Sequence, residues 1–179
     1  SYWNDLRYNI LIKIVAVCNL MSGGNYFINT LIFDFIGFWG GIALFRVFDH
    51  IFPGKKFIIA IGCFLLPSPL YFSSGLQKDL VVMFLLCFFC YGLYFSSIGG
   101  FQKRRNISLV ILSFLGLMLL RNFLALAIIP PLLAYLICIK SKKSSFYVFS
   151  GVYLVLFLFI LLTEWIFPNL NPLHFLVDR

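Results

Sequence analysis

Charged side chains are scarce in this sequence: Asp, Glu, Lys and Arg together make up 11% of its 179 residues. A soluble domain carries about 25% charged and about 45–50% apolar residues, whereas this chain is 62% hydrophobic with a mean hydropathy of +1.01. On folding, even a soluble domain of about 150 residues still exposes roughly 30% of the surface that its unfolded chain exposes. A water-soluble fold could not hide this much apolar side chain, so the composition predicts a membrane protein.

Acidic residues are the scarcest charged class, with 6 Asp and Glu against 14 Lys and Arg and a net charge of +8. Such a charge can indicate nucleic-acid binding when Lys and Arg form a patch on a soluble face. Here the basic residues lie between apolar runs, as they do beside membrane spans. The sequence therefore predicts a membrane partner for them and no nucleic acid.

Recognisable chemical motifs are also lacking. Neither of the two His residues has a partner at metal-ligand spacing, and the phosphate-loop, zinc-protease and hydrolase motifs are absent. The five Cys are odd in number, and Cys87 and Cys90 form a C-F-F-C inside an apolar run with no second pair. We therefore expect the Cys residues to be small buried hydrophobes, with no metal or redox site.

Long apolar runs are what the sequence has in abundance. A bilayer core of about 30 Å needs about 20 apolar residues in a helix. The runs at 26–45, 57–72, 80–98 and 147–167 fit that length, and the second carries Pro67 and Pro69. The region 107–139 is divided at Arg121 into a short helix, 107–120, and a longer one, 123–139, interrupted by Pro130 and Pro131. The predicted fold is an all-α polytopic transmembrane bundle with about five to six spanning helices, one of them broken near Arg121.

The basic residues alternate between the two sides of this bundle. Nine of the 14 cations fall in loops of one parity, which are Arg46, Lys55, Lys56, Lys103, Arg104, Arg105, Lys140, Lys142 and Lys143. Positively charged loops face the cytoplasm. The segments 47–56, 99–106 and 140–146 are therefore predicted to be cytoplasmic, with the turn at Arg121 on the outer side.

Residues 1–22 precede the first predicted span. Their apolar residues recur at helical spacing with polar residues on other faces, which predicts an amphipathic helix along the outer interface. A truncated spanning helix is the alternative, because residues 10–21 are nearly all apolar. Residues 23–179 would form the bundle. The sequence starts without Met, and we expect it to be a fragment of a longer chain.

Two cations stand out on the predicted outer side. Arg121 is expected about 20 Å from the cytoplasmic boundary, where a guanidinium needs an anion: Asp34, Asp79 or a lipid phosphate. Snorkelling to the headgroups is the alternative. Lys78 starts a helix beside free N–H groups, which is a favourable place for a phosphate. An ordinary interfacial Lys is the competing interpretation.

Two acidic residues belong to the same region. Asp79 suits a helix N-terminus as a cap or dipole partner. Asp34 lies roughly 13 Å below the predicted outer boundary, so we expect it to be protonated or paired. A structural pairing with Arg121 or a polar helix contact is favoured over catalysis.

A short motif carries a resemblance. Pro67-Ser68 followed by Ser73-Ser74-Gly75-Leu76 and Lys78-Asp79 is similar to a turn in bacterial multi-pass glycosyltransferases of the GT-C class. Leu120-Arg121-Asn122 resembles their Leu-Arg-Pro step, with Asn122 in place of Pro. The turn at residues 22–26 also fits. The resemblance covers roughly residues 21–131.

This resemblance implies a function and a site. GT-C enzymes transfer sugars from polyprenyl-phosphate carriers at the outer face, here of the bacterial inner membrane, and need no soluble cofactor. It implies that Lys78 and Arg121 hold the lipid phosphate, supported by Ser74, Gly75, Asp79, Asn122 and Asp34. Asp5 would be the catalytic carboxylate that takes the acceptor's proton or orients the acceptor, unless that residue lies upstream of Ser1.

Two other functions remain open. A non-enzymatic subunit of a larger membrane complex would use its polar residues for helix contacts with partner subunits. A transporter would place broken helices, at the two Pro pairs, around a midplane site.

Overall fold

The computed structural model describes residues 2–65, 78–98, 103–141 and 144–166, and these residues are almost entirely helical. The helices are α1 (Tyr2–Ser22), α2 (Tyr26–Ile51), α3 (Lys56–Ala60), α4 (Lys78–Ile98), α5 (Lys103–Leu120), α6 (Asn122–Ser141) and α7 (Ser145–Ile166). A π-helical turn, Ile61–Leu65, continues α3. No strand occurs in the described residues, so the all-α prediction is confirmed for them.

Three of the described helices are long and apolar enough to cross a membrane: Tyr26–Ile51, Lys78–Ile98 and Asn122–Ile139. Large apolar side chains such as Phe27, 80% exposed, and Leu112, 66% exposed, point away from the protein interior. Surfaces of this kind are expected to face lipid. The chain is therefore a membrane protein with transmembrane helices.

Helix α4 lies between α2 and α5, and these three helices form what we call the α2–α4–α5 layer. Gly37 of α2 lies beside Leu80, and Gly40 lies beside Phe84 and Cys87. Residue numbers increase in the same direction along both helices at these contacts, so α2 and α4 run in parallel. Helix α5 runs antiparallel to α4, since Gly92 lies beside Asn106 and Val110 while Leu85 lies beside Gly116.

Small residues set the spacing of the layer. A Cβ atom at Gly40 would lie 3.0 Å from the Cα of Phe84, and one at Gly92 would lie 2.9 Å from the carbonyl oxygen of Asn106. Both neighbours are backbone atoms, which cannot move aside as a side chain can. Glycine at these positions therefore allows the close helix packing that is typical of membrane helices.

The turn between α1 and α2 is built from local signals. Gly23 and Gly24 adopt positive φ angles of 63° and 82°, which a side chain would disfavour. The Asn25 side-chain oxygen then accepts a hydrogen bond of 3.0 Å from the Phe27 N–H and caps α2. The last turns of α1 pack through Cys18 against Phe33 and Leu80.

Several predicted helix limits were wrong. Helix α2 runs to Ile51, past the predicted end at residue 45, and the predicted loop 47–56 shrinks to residues 52–55. Parts of the predicted loops 99–106 and 140–146 are helical, because α5 begins at Lys103, α6 ends at Ser141 and α7 begins at Ser145. Hydropathy marks where the apolar run stops, but a helix continues through polar residues that can reach water.

The proline predictions had different outcomes. Helix α6 is continuous through Pro130 and Pro131, so the predicted interruption is wrong. Membrane helices tolerate internal Pro because neighbouring groups can satisfy the freed backbone. Pro67 and Pro69 lie outside the described residues.

The chain divides into two compact units, Ser1–Ala125 and Leu126–Arg179. The first contains the α2–α4–α5 layer. In the second, Ala134 of α6 is fully buried, and the Cys138 thiol donates a hydrogen bond of 3.2 Å to the Ser145 hydroxyl at the start of α7.

Candidate functional site

Four of the predicted site residues lie at the same end of the layer. Lys78 and Asp79 form the first turn of α4, and Arg121 and Asn122 lie where α5 gives way to α6. Because α5 runs antiparallel to α4, its end returns to the start of α4. We call this region, with the start of α2, the Arg121 end of the layer.

Arg121 and Asp79 form an ion pair. The Arg121 Nη2 donates a hydrogen bond to Asp79 Oδ1 at 2.7 Å, the length expected for a charge-assisted bond. The Arg121 side chain is 46% exposed and that of Asp79 35% exposed. Of the anions considered for Arg121 from the sequence, the structure therefore identifies Asp79 within the chain.

The start of α4 favours Asp79 in this pair. Asp79 lies in the first turn of α4, where the helix dipole stabilises an anion. Arg121 lies between the end of α5, whose dipole favours a cation, and the start of α6, whose dipole does not, so the two contributions there oppose each other. The interpretation of Asp79 as a dipole partner agrees with its position in this first turn.

The backbone at Arg121 explains the predicted break. Its N–H donates to the Leu117 carbonyl at 2.7 Å, completing α5, while its own carbonyl accepts from Leu124 and Ala125 at 3.1 Å each. Arg121 therefore ends one helix and begins the next. Its guanidinium carries five N–H donors, and only Nη2 is bonded to Asp79.

The other predicted residues have different outcomes. Lys78 is exposed at the start of α4, and Asn122, partly exposed, starts α6. Ser74 and Gly75 lie outside the described residues. Asp5 belongs to α1, but its side chain also lies outside the described part of the structure.

Two structural roles were favoured for Asp34, a pairing with Arg121 or a polar helix contact, and the first of them is not formed. Arg121 bonds Asp79, and the Asp34 Oδ1 atom is buried with no hydrogen-bond partner in the described structure. The reason is the position of Asp79, which the helix start presents directly to Arg121. Asp34 instead shares the side of α2 that bears Phe38 and Gly41, both beside Phe64.

A polar network between α1 and α2 was missed from the sequence. Asn29 is 2% exposed. It accepts a hydrogen bond of 2.7 Å from the Ser22 hydroxyl, and its amide donates to the Asn19 side chain. The available signal was a pair of Asn residues in apolar helices on either side of the Gly23–Gly24 turn.

The opposite end of the layer, which we call the His50 end, carries another set of contacts. His50 Nδ1 lies 2.9 Å from the Tyr94 hydroxyl, and the His50 ring packs edge-on against Tyr94 and Phe95. Lys56 and Asp49 approach to 3.9 Å. His50 falls within the predicted loop 47–56, but it lies in the last turn of α2.

Metal ligands are not grouped in the described part of the chain: no three His, Cys, Asp or Glu side chains there are close enough together to hold an ion. The five Cys residues are free thiols, of which Cys18, Cys63 and Cys87 are buried. The charged groups described at the Arg121 end are the Lys78 ammonium and the Arg121 guanidinium, the latter paired with the Asp79 carboxylate.

Comparisons with known proteins complete this description. No family model, no curated protein and no solved structure matches the chain.

Proposed function

We propose that the chain is a membrane glycosyltransferase-like protein that transfers a sugar from a polyprenyl-phosphate carrier to an acceptor at the outer face of the bacterial inner membrane. Arg121 and Lys78 hold the phosphate of the lipid carrier. The observation that carries the proposal is Arg121 itself: a half-exposed guanidinium at a helix break, oriented by Asp79 at 2.7 Å. Its remaining N–H donors can bind a phosphate while Asp79 stays in place.

The arrangement of charges supports this chemistry. As the acceptor oxygen bonds to the sugar C1, the bond from C1 to the phosphate breaks and negative charge grows on the phosphate oxygens, where fixed cations stabilise it. The acceptor's proton passes to a carboxylate, the role that the resemblance implies for Asp5. Lys78 adds a second cation next to the start of α4, whose N–H groups also favour an anion. The isoprenoid tail would lie along the exposed apolar helices in the bilayer.

The distribution of basic residues supports the orientation. Arg46, Lys55, Lys56 and the Lys103–Arg105 run all belong to the His50 end, where positively charged residues would face the cytoplasm. The Arg121 end is then on the outer side. The proposed bundle has five to six spans, of which three are long enough among the described helices.

A binding experiment tests this proposal. The chain is placed in lipid nanodiscs, and its affinity is measured for a polyprenyl phosphate and for the matching polyprenol without phosphate. We expect the phosphate lipid to bind more tightly, and Arg121→Ala to weaken it at least about tenfold, because charge-assisted bonds contribute about 1.5–3 kcal/mol. Lys78→Ala should give a smaller loss.

The matched control is Arg46→Ala, which removes an exposed cation from α2 on the predicted cytoplasmic side. It should leave phosphate-lipid affinity unchanged. Equal binding of the polyprenol and its phosphate, or equal losses in Arg121→Ala and Arg46→Ala, would contradict the site. Transfer of radiolabelled hexose from a polyprenyl phosphate should be lost in Arg121→Ala under the same conditions.

A further inference from the structure

Asp34 is a carboxylate in a membrane-spanning helix, and the ion pair at the Arg121 end does not use it. Its Oδ1 atom is buried, with no hydrogen-bond partner in the described structure. Ionisable groups at membrane depth are costly, and those that persist commonly serve a ligand or a transport pathway. Contacts between the helices show the level and the flank of the layer at which Asp34 lies relative to the ion pair.

The level of Asp34 along the layer follows from the register between α2 and α4. Gly37 lies beside Leu80 and Gly40 beside Phe84, so the parallel helices α2 and α4 keep one register over this stretch. Continuing that register one turn toward the N-terminus puts Asp34 level with the start of α4 at Lys78. Asp34 therefore lies at the same height as the Asp79–Arg121 pair.

The flank of the layer on which Asp34 lies follows from the contact between Phe33 and Leu80. Phe33 packs with Leu80, and Asp34 is one residue, or about 100° of helix rotation, further on. Leu80 faces α2, and Asp79 is one residue earlier. Both helices are right-handed and run in parallel. The step forward from Phe33 to Asp34 and the step back from Leu80 to Asp79 therefore turn both acidic residues toward the same flank of the layer.

Contacts of α2 agree with this placement. Phe38 and Gly41 lie one and two turns beyond Asp34 on the same face of α2. Both lie beside Phe64. Phe64 belongs to the π-helical turn, so this face of α2 is on the flank where that turn packs. Asp34 and the ion pair thus share one flank and one level. Neighbouring helix axes are about 8–10 Å apart, which is the scale of the separation between Asp34 and Asp79. Arg121 lies beyond Asp79, at the end of α5.

We propose that Asp34 recognises the sugar of the lipid-linked substrate by accepting a hydrogen bond from one of its hydroxyl groups while Arg121 binds the phosphate. This inference rests on the proposed function and specifies its ligand: a glycosyl phosphate instead of a bare phospholipid. Whether protonated or ionised, a carboxyl group keeps oxygen atoms that accept hydrogen bonds from neutral hydroxyls. Asp34 is therefore a positioning residue for the uncharged, hydroxyl-bearing part of the ligand.

The test compares two lipids on the same protein. Binding of a polyprenyl phosphate and of its hexosyl ester is measured in nanodiscs for the wild-type chain, Asp34→Leu and Asp34→Asn. We expect the wild type to prefer the hexosyl ester. Asp34→Leu should lower that preference about tenfold while leaving affinity for the bare phosphate unchanged. Asp34→Asn, whose amide still accepts a hydrogen bond, should lose less.

Asp49→Asn is the matched control. Asp49 is on the same helix, and its Oδ1 atom is also buried without a partner in the described residues, but it lies at the His50 end. It should not change the preference. An unchanged preference in Asp34→Leu, or no preference in the wild type, overturns the role of Asp34. If Arg121→Ala also leaves binding of the bare phosphate intact, the proposed function itself fails.

Discussion

The two ends of the α2–α4–α5 layer hold their polar side chains differently. At the Arg121 end, Asn29 is 2% exposed within a hydrogen-bonded network, and Arg121 and Asp79 meet at 2.7 Å. At the His50 end, the His50 contact to Tyr94 is exposed, and Lys56 approaches Asp49 only to 3.9 Å with 73% of its side chain exposed. The Arg121 end therefore includes a buried polar network beside its ion pair, whereas the hydrogen bond and the ion pair described at the His50 end are exposed.

This difference has an energetic consequence. Exposed ion pairs contribute about 0–1 kcal/mol, whereas breaking a buried hydrogen bond leaves an unsatisfied group that costs about 1–3 kcal/mol. Substitutions at the Arg121 end should therefore affect stability more than matched substitutions at the His50 end. An end whose polar groups are held in place is also better suited to bind a ligand, because less ordering is needed on binding.

The substitution with the largest expected effect on stability disrupts the close packing of α4 and α5, which supports both ends of the layer. In Gly92→Ala the new Cβ would lie 2.9 Å from the Asn106 carbonyl oxygen, so α4 and α5 must separate. We expect the free energy of unfolding to fall by about 1–3 kcal/mol, as in other overpacked interiors. Gly62→Ala is the control, because a Cβ there meets nothing within 4 Å. Unfolding in detergent micelles, followed by circular dichroism, measures both, and equal stability would refute this account of the layer.

The second prediction compares the polar contacts directly. Asn29→Leu removes the acceptor of the Ser22 hydroxyl and the donor to Asn19. We expect a loss of about 1–2 kcal/mol. His50→Phe, which removes the exposed contact to Tyr94, should cost less than about 0.5 kcal/mol, since surface changes are usually within that range. The same unfolding measurement applies, and a larger loss for His50→Phe would reverse the comparison.

The smallest effects concern the two ion pairs. A double-mutant cycle with Asp79→Asn and Arg121→Gln should give a coupling free energy of at most about 1 kcal/mol, because both groups are partly exposed. The cycle with Asp49→Asn and Lys56→Gln should give about 0 kcal/mol, given the longer distance and greater exposure. Salt should weaken the first coupling. Two couplings of equal size would show that the ends do not differ in this respect.

Much of the site was predictable because its residues are exceptions to the composition. Arg121 interrupts an apolar run, which predicted both the helix break and the need for an anion, and Asp79 was among its candidate partners. The partner itself was not predictable. The choice between Asp79 and Asp34 depends on which carboxylate the helix register brings to the guanidinium, and residue spacing along one chain does not give that register.

Helix ends and proline effects were harder to predict for a similar reason. The end of α2 at Ile51 and the continuity of α6 through Pro130 and Pro131 depend on how polar and backbone groups are satisfied in three dimensions. Hydropathy reports only the preference of each side chain for lipid. The buried Asn29 network was missed because a lone Asn in an apolar helix does not identify its partner.

The sequence by itself determined that this protein lies in a membrane and is built from helices, since the scarcity of charge leaves no other solvent and the apolar runs have the length of spanning helices. It also determined where the cations lie along the chain. The tertiary structure decided that α2 and α4 run in parallel with α5 reversed, that Arg121 meets Asp79, and that Asp34 shares their level and flank. These relations follow from glycine-mediated close packing, which fixes the register between helices and is a property of pairs of surfaces.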